Sequence, residues 1–145
     1  MIHKDEKSAA MYSPLTLAYV GDGIYELMVR THIASGENMP VNKLHRLATS
    51  YVAACYQSAY MELLLPLLTE QEMEIYKRGR NAKSHTSAKN MSILDYRRAT
   101  GLEALFGYLH LTGQQARLEE LFDIICNHHD DVVKQMTQQA EESSI

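Results

Sequence analysis

Cysteine is nearly absent: of 145 residues, only Cys55 and Cys126 carry thiols. They lie far apart in apolar settings. That spacing gives no basis for a disulfide framework or a cysteine-based zinc site, and two reduced core thiols are expected. No apolar run is long enough to span a bilayer, so no membrane partner is expected. The first residues, MIHKDEKSAA, are polar and lack the pattern of a secretory leader, so a cytoplasmic location follows. Alternation of apolar and polar residues never persists and β-branched residues are scattered, which argues against strands. There is no internal repeat, and no linker rich enough to divide the chain into domains. One domain with a core of useful size is the expectation.

Positive charge is also scarce. The chain has 14 Lys and Arg against 18 Asp and Glu, a formal net charge of −4. Taken as a total, this argues against nucleic acid as a partner, but the distribution reverses the argument. Between positions 77 and 98 stand Lys77, Arg78, Arg80, Lys83, Lys89, Arg97 and Arg98, against one acid, Asp95. A protein that is acidic overall can still present one basic face.

What is present reads as helix. Ser13-Pro14 is a start signal, with serine as the cap and proline in the first turn. That helix reaches about Ile33, and Gly36 ends it. Pro40 and Asn42 open a second helical region carrying Leu44, Leu47, Ala48, Tyr51, Val52 and Cys55 at helical spacing. It breaks once and resumes through Tyr60 to Leu65. Thr69 and Glu72 form a capping box for a helix ending near Gly79. Ser92 caps the next helix, Ile93 to Leu111, closed by Thr112-Gly113. A last helix covers Gln115 to Asn127. The resulting division is a polar arm over 1–12, one helical domain over 13–130 and a frayed tail over 131–145.

The stretch LAYVGDGIYE, Leu17 to Glu26, is the anomaly. It has helical periodicity, yet an acid sits in its middle between two glycines. Each mid-helix glycine costs about 1 kcal/mol relative to alanine. At 100° per residue, Leu15, Ala18, Tyr19, Asp22, Glu26 and Val29 share one face. On the helix after Ser92, Tyr96, Ala99, Thr100, Glu103, Gly107 and His110 do the same. If these faces meet, Asp22 and Glu103 converge, and two oxygen ligands with room for water suit Mg²⁺. An acid on an apolar face is more often simply capped or paired, and spacing alone does not bring the helices together.

LAYVGDGIYEL resembles the signature of the ribonuclease III family, an apolar residue, Gly and Asp followed by an apolar helix. TGLEALFGYLHL is similar to that family's second acidic motif. Order and separation agree, and the similarity covers Ser13 to Asn127. The short chain and the stretch KRGRNAKSHTSAKN point to the mini-ribonuclease III subgroup of bacteria, which has the catalytic domain alone. Standard members carry further acids at positions matching Leu15 and Ala18, and an aspartate where this chain has Thr100. Only Asp22 and Glu103 match the shared acids.

The resemblance implies an all-α endonuclease-domain fold with no double-stranded-RNA-binding domain. It implies a magnesium-dependent endoribonuclease, with Mn²⁺ as a substitute ion, that leaves 5′-phosphate and 3′-hydroxyl ends on double-stranded RNA. It further implies a homodimer joined through the signature helix. The expected substrate is precursor large-subunit (23S) ribosomal RNA, presented with the help of ribosomal proteins. Asp22 and Glu103 become the catalytic metal ligands, and Gly21 and Gly23 permit close backbone approach beside them. Two rival readings are a catalytically inactive RNA-binding module on this fold and an all-α protein-interaction domain.

Other residues have plainer readings. Glu26 supports the site from one turn away or pairs with Arg30 at i, i+4, and Thr100 is a supporting candidate. Asp95 suits a helix start, and His128 and His129 suit a helix end. Most tyrosines sit at core spacing. Arg78, Arg80, Asn81, Lys83, Ser84, His85 and Lys89 are the candidates for RNA contact, since duplex RNA is recognised through phosphates, 2′-hydroxyls and shape.

Overall fold

The computed structural model describes residues 4–83 and 92–143, and the regular structure among them is entirely helical. A short α1 (Glu6–Ala10) precedes α2 (Pro14–Gly36), capped where Ser13 Oγ accepts from Leu15 N. Helix α3 (Val41–Val52) is separated from α4 (Ala54–Leu64) by Ala53 alone, whose extended backbone makes the break. A 3₁₀ turn, Leu65–Leu67, carries Pro66. The box at Thr69 closes in both directions: Thr69 Oγ1 accepts from Glu72 N at 3.1 Å, and Thr69 N donates to Glu72 at 2.9 Å. It starts α5 (Glu70–Asn81). Ser92 caps α6 (Ile93–Leu111), Gly113 turns the chain at φ 70°, and α7 runs over Gln115–Ser143.

Helix α6 is the axis of the molecule. Leu102, Ala104, Leu105, Phe106 and Leu109 on it are fully buried. A helix buried on all sides has no polar stripe, and α1, α2, α4, α5 and α7 all pack against this one. Its tightest partner is α2, and the reason is steric. A Cβ on Gly21 would stand 1.6 Å from the Glu103 carbonyl oxygen, and one on Gly107 would stand 1.9 Å from the Leu17 carbonyl oxygen. Backbone meets backbone there, and only glycine fits. Gly23 is different. A Cβ there would meet nothing within 4 Å, so the expected close approach beside the acid belongs to Gly21 and to Gly107 across from it.

Several elements depart from the sequence reading. The polar arm contains a helix that the sequence reading did not place: Asp5 caps α1 by accepting from Ser8 N at 2.8 Å, Ala9 is buried, and Lys4 N donates to Leu111 O at 2.6 Å. Beyond Asp130, where fraying was expected, α7 continues because Val132 and Met136 still pack on the core. His128 and His129 therefore do not cap a helix end. The His129 ring stacks on Tyr51 at 4.1 Å, with Nε2 2.7 Å from Ser50 Oγ. The thiols are free, but Cys55 is exposed on α4 and only Cys126 is partly buried. Burial first, and Asp123 second, push the Cys126 thiol up to about 11.

The tyrosines do pack as expected, with Tyr25, Tyr60, Tyr76 and Tyr108 among the largest buried side chains. Two of these hydroxyls bind backbone where helix ends leave it free: Tyr25 donates to Tyr51 O at 2.7 Å and Tyr60 to Ser50 O at 2.8 Å.

Gly21→Ala is expected to cost about 3 kcal/mol in urea unfolding, the upper range for overpacking. Gly23→Ala should change stability by less than about 1 kcal/mol, near the helix-propensity difference alone. Equal losses at both positions would overturn the close crossing.

Candidate active site

The close crossing of α2 and α6 is also what assembles the acids. Gly21 presses on the backbone of Glu103 itself, and Asp22 is the next residue on α2. Asp22 is exposed, whereas Glu103 is half-buried behind it. The Glu103 carboxyl is pushed up to about 8, chiefly by burial and then by the Asp22 carboxylate beside it, while the Gln57 amide acts in the opposite direction. A buried acid held beside another carboxylate without a positive neighbour is costly to ionise. Among the described residues no Lys, Arg or His forms an ion pair with either.

That donor set fits a hard divalent cation. Carboxylate oxygens are its preferred ligands, and magnesium keeps several waters rather than demanding a full protein cage. Among the described residues no cluster of three or more His, Cys, Asp or Glu forms a cage. A site with two protein carboxylates leaves coordination positions for water and substrate. A buried polar atom is also left over beside it: Gln57 Oε1 finds no partner among the described residues. Gln57 was not singled out in the sequence. The available signal was a polar residue within the mainly apolar stretch CYQSAYMELL.

The supporting candidates are occupied elsewhere. Glu26 pairs with Arg30 at 2.6 Å, the plain i, i+4 helix pair. The Thr100 hydroxyl donates back to Tyr96 O at 2.9 Å, within its own helix.

The basic candidates divide. Arg78 is drawn inward, donating to the carbonyls of Ala10 and Tyr12, and so ties α5 to the amino-terminal segment. Arg80 lies over the Tyr76 ring, with its Nε donating to Asn81 Oδ1 at 3.2 Å. Asn81 and Lys83 are exposed at the end of α5, as is Lys77 one turn back. Ser84, His85 and Lys89 lie outside the described residues.

One other polar array has an enzyme-like order. Ser50, His129 and Asp130 are linked by hydrogen bonds of 2.7 and 3.2 Å. The Ser50 hydroxyl, however, donates to Leu47 O at 2.6 Å, so its proton is committed to the backbone. A serine bonded in that way is not primed for attack by the histidine.

An all-helical domain with two acids converging across a glycine crossing is the architecture of a family of RNA-cleaving enzymes. The Ribonuclease III domain model matches residues 15–114, and the chain belongs to the ribonuclease III family. It is 56% identical to Mini-ribonuclease 3 of Enterococcus faecalis over 112 residues, covering 75% of this chain and 84% of that protein. It is 46% identical to Mini-ribonuclease 3 of Clostridium tetani over 82% of this chain and 80% of that one. With Mini-ribonuclease 3 of Staphylococcus aureus the identity is 41%, over 86% and 95%. A crystal structure of a Fusobacterium nucleatum protein superposes with a TM-score of 0.74 at 28% identity, covering 81% of this chain and 93% of that one. The all-α fold follows, and the chain is an endoribonuclease. Double-stranded RNA is the substrate class that family membership implies. No helix among the described residues is long and apolar enough to cross a membrane.

The raised Glu103 carboxyl has a consequence for pH. The folded protein holds that proton more tightly than the unfolded chain, whose value is 4.5. The associated stability is fully present below about pH 4.5 and is lost as pH rises through about 8. In EDTA, the melting temperature of the native chain should fall between pH 5 and pH 8.5 relative to Glu103→Gln, which cannot titrate. Parallel curves would remove the pairing of Glu103 with Asp22.

Proposed function

We propose that this chain is a dimeric, magnesium-dependent endoribonuclease that cuts double-stranded RNA, with Asp22 and Glu103 as the protein ligands of the cation. The observation that carries this reading is the convergence of the two carboxylates across α2 and α6, with no positive partner among the described residues. Asp22 and Glu103 would hold the ion from adjacent helices and leave its outward side to substrate. When bound, the ion supplies Lewis-acid stabilisation of charge on phosphorus and lowers the pKa of a water. The products carry 5′-phosphate and 3′-hydroxyl ends. Manganese, with the same preference for oxygen, serves as a substitute.

The chain's own residues do the remaining work. Asp22, on the exposed side, is placed to meet the phosphate and the attacking water. Glu103, behind it, is fixed because its helix cannot shift without opening the Gly21–Gly107 contact. Capture of the RNA backbone falls to Lys77, Arg80, Asn81 and Lys83 at the end of α5, with Ser84, His85 and Lys89 following in sequence. Arg78 is left out of that set because its guanidinium already binds the amino-terminal backbone. The natural substrate we favour is precursor 23S ribosomal RNA in the cytoplasm, with ribosomal proteins presenting the stem. The support is the likeness to the Mini-ribonuclease 3 proteins.

A homodimer is supported by the outer face of α2. Leu15, Tyr19 and Leu27 are exposed there, Tyr19 at 82%, and Gly23 lies in the same row of every fourth residue. Such an apolar stripe on an accessible helix suits a twofold contact. With two copies, two carboxylate pairs would face the two strands of one duplex.

The first test is cleavage of a labelled RNA duplex. Wild type should cut with Mg²⁺ and not with EDTA. Asp22→Asn should lose at least about a hundredfold in rate, the scale of one essential electrostatic interaction, while its helical circular dichroism stays unchanged. Near-normal cutting by Asp22→Asn would remove Asp22 from the site.

The second test is sedimentation. Wild type should sediment as a dimer at micromolar concentration, and Tyr19→Asp should sediment as a folded monomer. A wild-type monomer would end the two-strand model.

A further inference from the structure

Gln57 stands out among the polar residues of the core. It lies on α4, its side chain is only 3% exposed, and its Nε2 donates to Val52 O at 3.0 Å. Helix α4 packs against α6, which carries Glu103, and the same amide is near enough to Glu103 to counter its raised value. Its Oε1 is buried and makes no hydrogen bond to any described residue. Reversing the amide does not solve this, since Oε1 would then face the Val52 carbonyl, acceptor against acceptor. The orientation is therefore set by Val52, and the oxygen is the end left over. The two ends of one planar amide cannot be far apart, so this oxygen lies near the Asp22–Glu103 pair.

A buried acceptor with no partner is costly, and a leucine of similar size would carry no such penalty. The cost makes sense if the oxygen has a partner in the working site. We propose that Gln57 is a positioning residue of the cation site, its Nε2 tying the Glu103 carboxylate to the end of α3 and its Oε1 accepting a hydrogen bond from a water held there. This rests on the reading of Asp22 and Glu103 as cation ligands. Groups that orient the ligands and waters of a metal ion commonly control its affinity by 10- to 100-fold. Gln57 adds that control without adding charge, which matters beside two acids that already repel. It also couples the site to a third helix, so that α2, α4 and α6 each contribute one polar group.

The test uses the full chain and Mn²⁺ alone, with free ion followed by electron paramagnetic resonance and metal-free stability followed by melting in EDTA. Gln57→Leu should weaken Mn²⁺ binding by about tenfold or more with its metal-free melting temperature nearly unchanged. Gln57→Glu keeps an acceptor oxygen and adds charge, so it should bind Mn²⁺ at least as tightly as wild type. Asp22→Asn should abolish binding. If Gln57→Leu binds as wild type does, or Gln57→Glu is as weak as Gln57→Leu, the role assigned to Oε1 is wrong while the two-carboxylate site stands. If Gln57→Leu fails to fold, Gln57→Glu decides against wild type: weaker Mn²⁺ binding than wild type overturns the role of Oε1. If wild type binds no Mn²⁺, or Asp22→Asn binds it normally, the carboxylate site itself fails and this role with it.

Discussion

The structure depends on a backbone contact. Helices α2 and α6 touch at Gly21 and Gly107, where each helix places main chain against main chain with no room for a single Cβ. Packed helices ordinarily keep side chains between their axes. Removing them at this point exchanges local helix propensity for proximity, and proximity is what two short carboxylate side chains need in order to reach one point. The glycines make no chemistry themselves. They determine where Asp22 and Glu103 can stand relative to one another.

That closeness creates an electrostatic problem. Glu103 is pushed toward its neutral form by burial and by Asp22, and the one group that opposes this is an uncharged amide from α4. Elsewhere the same protein handles a buried acid differently. Burial would raise Glu72, but Arg117 grips both its oxygens at 2.8 and 2.9 Å and Thr69 adds further bonds, so its carboxyl is held below the usual range. The contrast is informative because both acids are drawn out of solvent. Glu72 has an arginine and so holds α5 to α7. Among the described residues Glu103 has no such partner, and that unbalanced acid is what the proposed cation site rests on.

The remaining polar residues mostly serve assembly. Arg78 reaches across from α5 to two carbonyls of the amino-terminal segment. Tyr25 and Tyr60 satisfy carbonyls at the end of α3. The aromatic cluster of Tyr25, Phe106 and Phe122 packs edge to face around α6. These contacts tie the helices to one another, and groups carried on packed helices are held more accurately than groups on loops.

The sequence by itself determined much of the helix plan, because its signals are local. Ser13-Pro14, the Thr69–Glu72 box, Ser92 and Gly113 each act within a few residues, and the observed helices begin or end at them. The acid between two glycines and the second motif around Glu103 were legible for the same reason. What only the tertiary structure decided was which glycine matters and which polar groups are free. Gly21 and Gly23 look alike in sequence, yet one is pressed against Glu103 and the other faces open space, since two positions along a helix turn by about 200°. Arg78 and Arg80 look equally available, but one is drawn inward by carbonyls 66 and 68 residues away. Helix α7 outlasts its own weak pattern because Val132 and Met136 find a core to cover. Gln57 is one polar residue among several on α4 until that helix is laid beside α6. Each of these depends on a neighbour distant in the chain, and periodicity carries no information about neighbours of that kind.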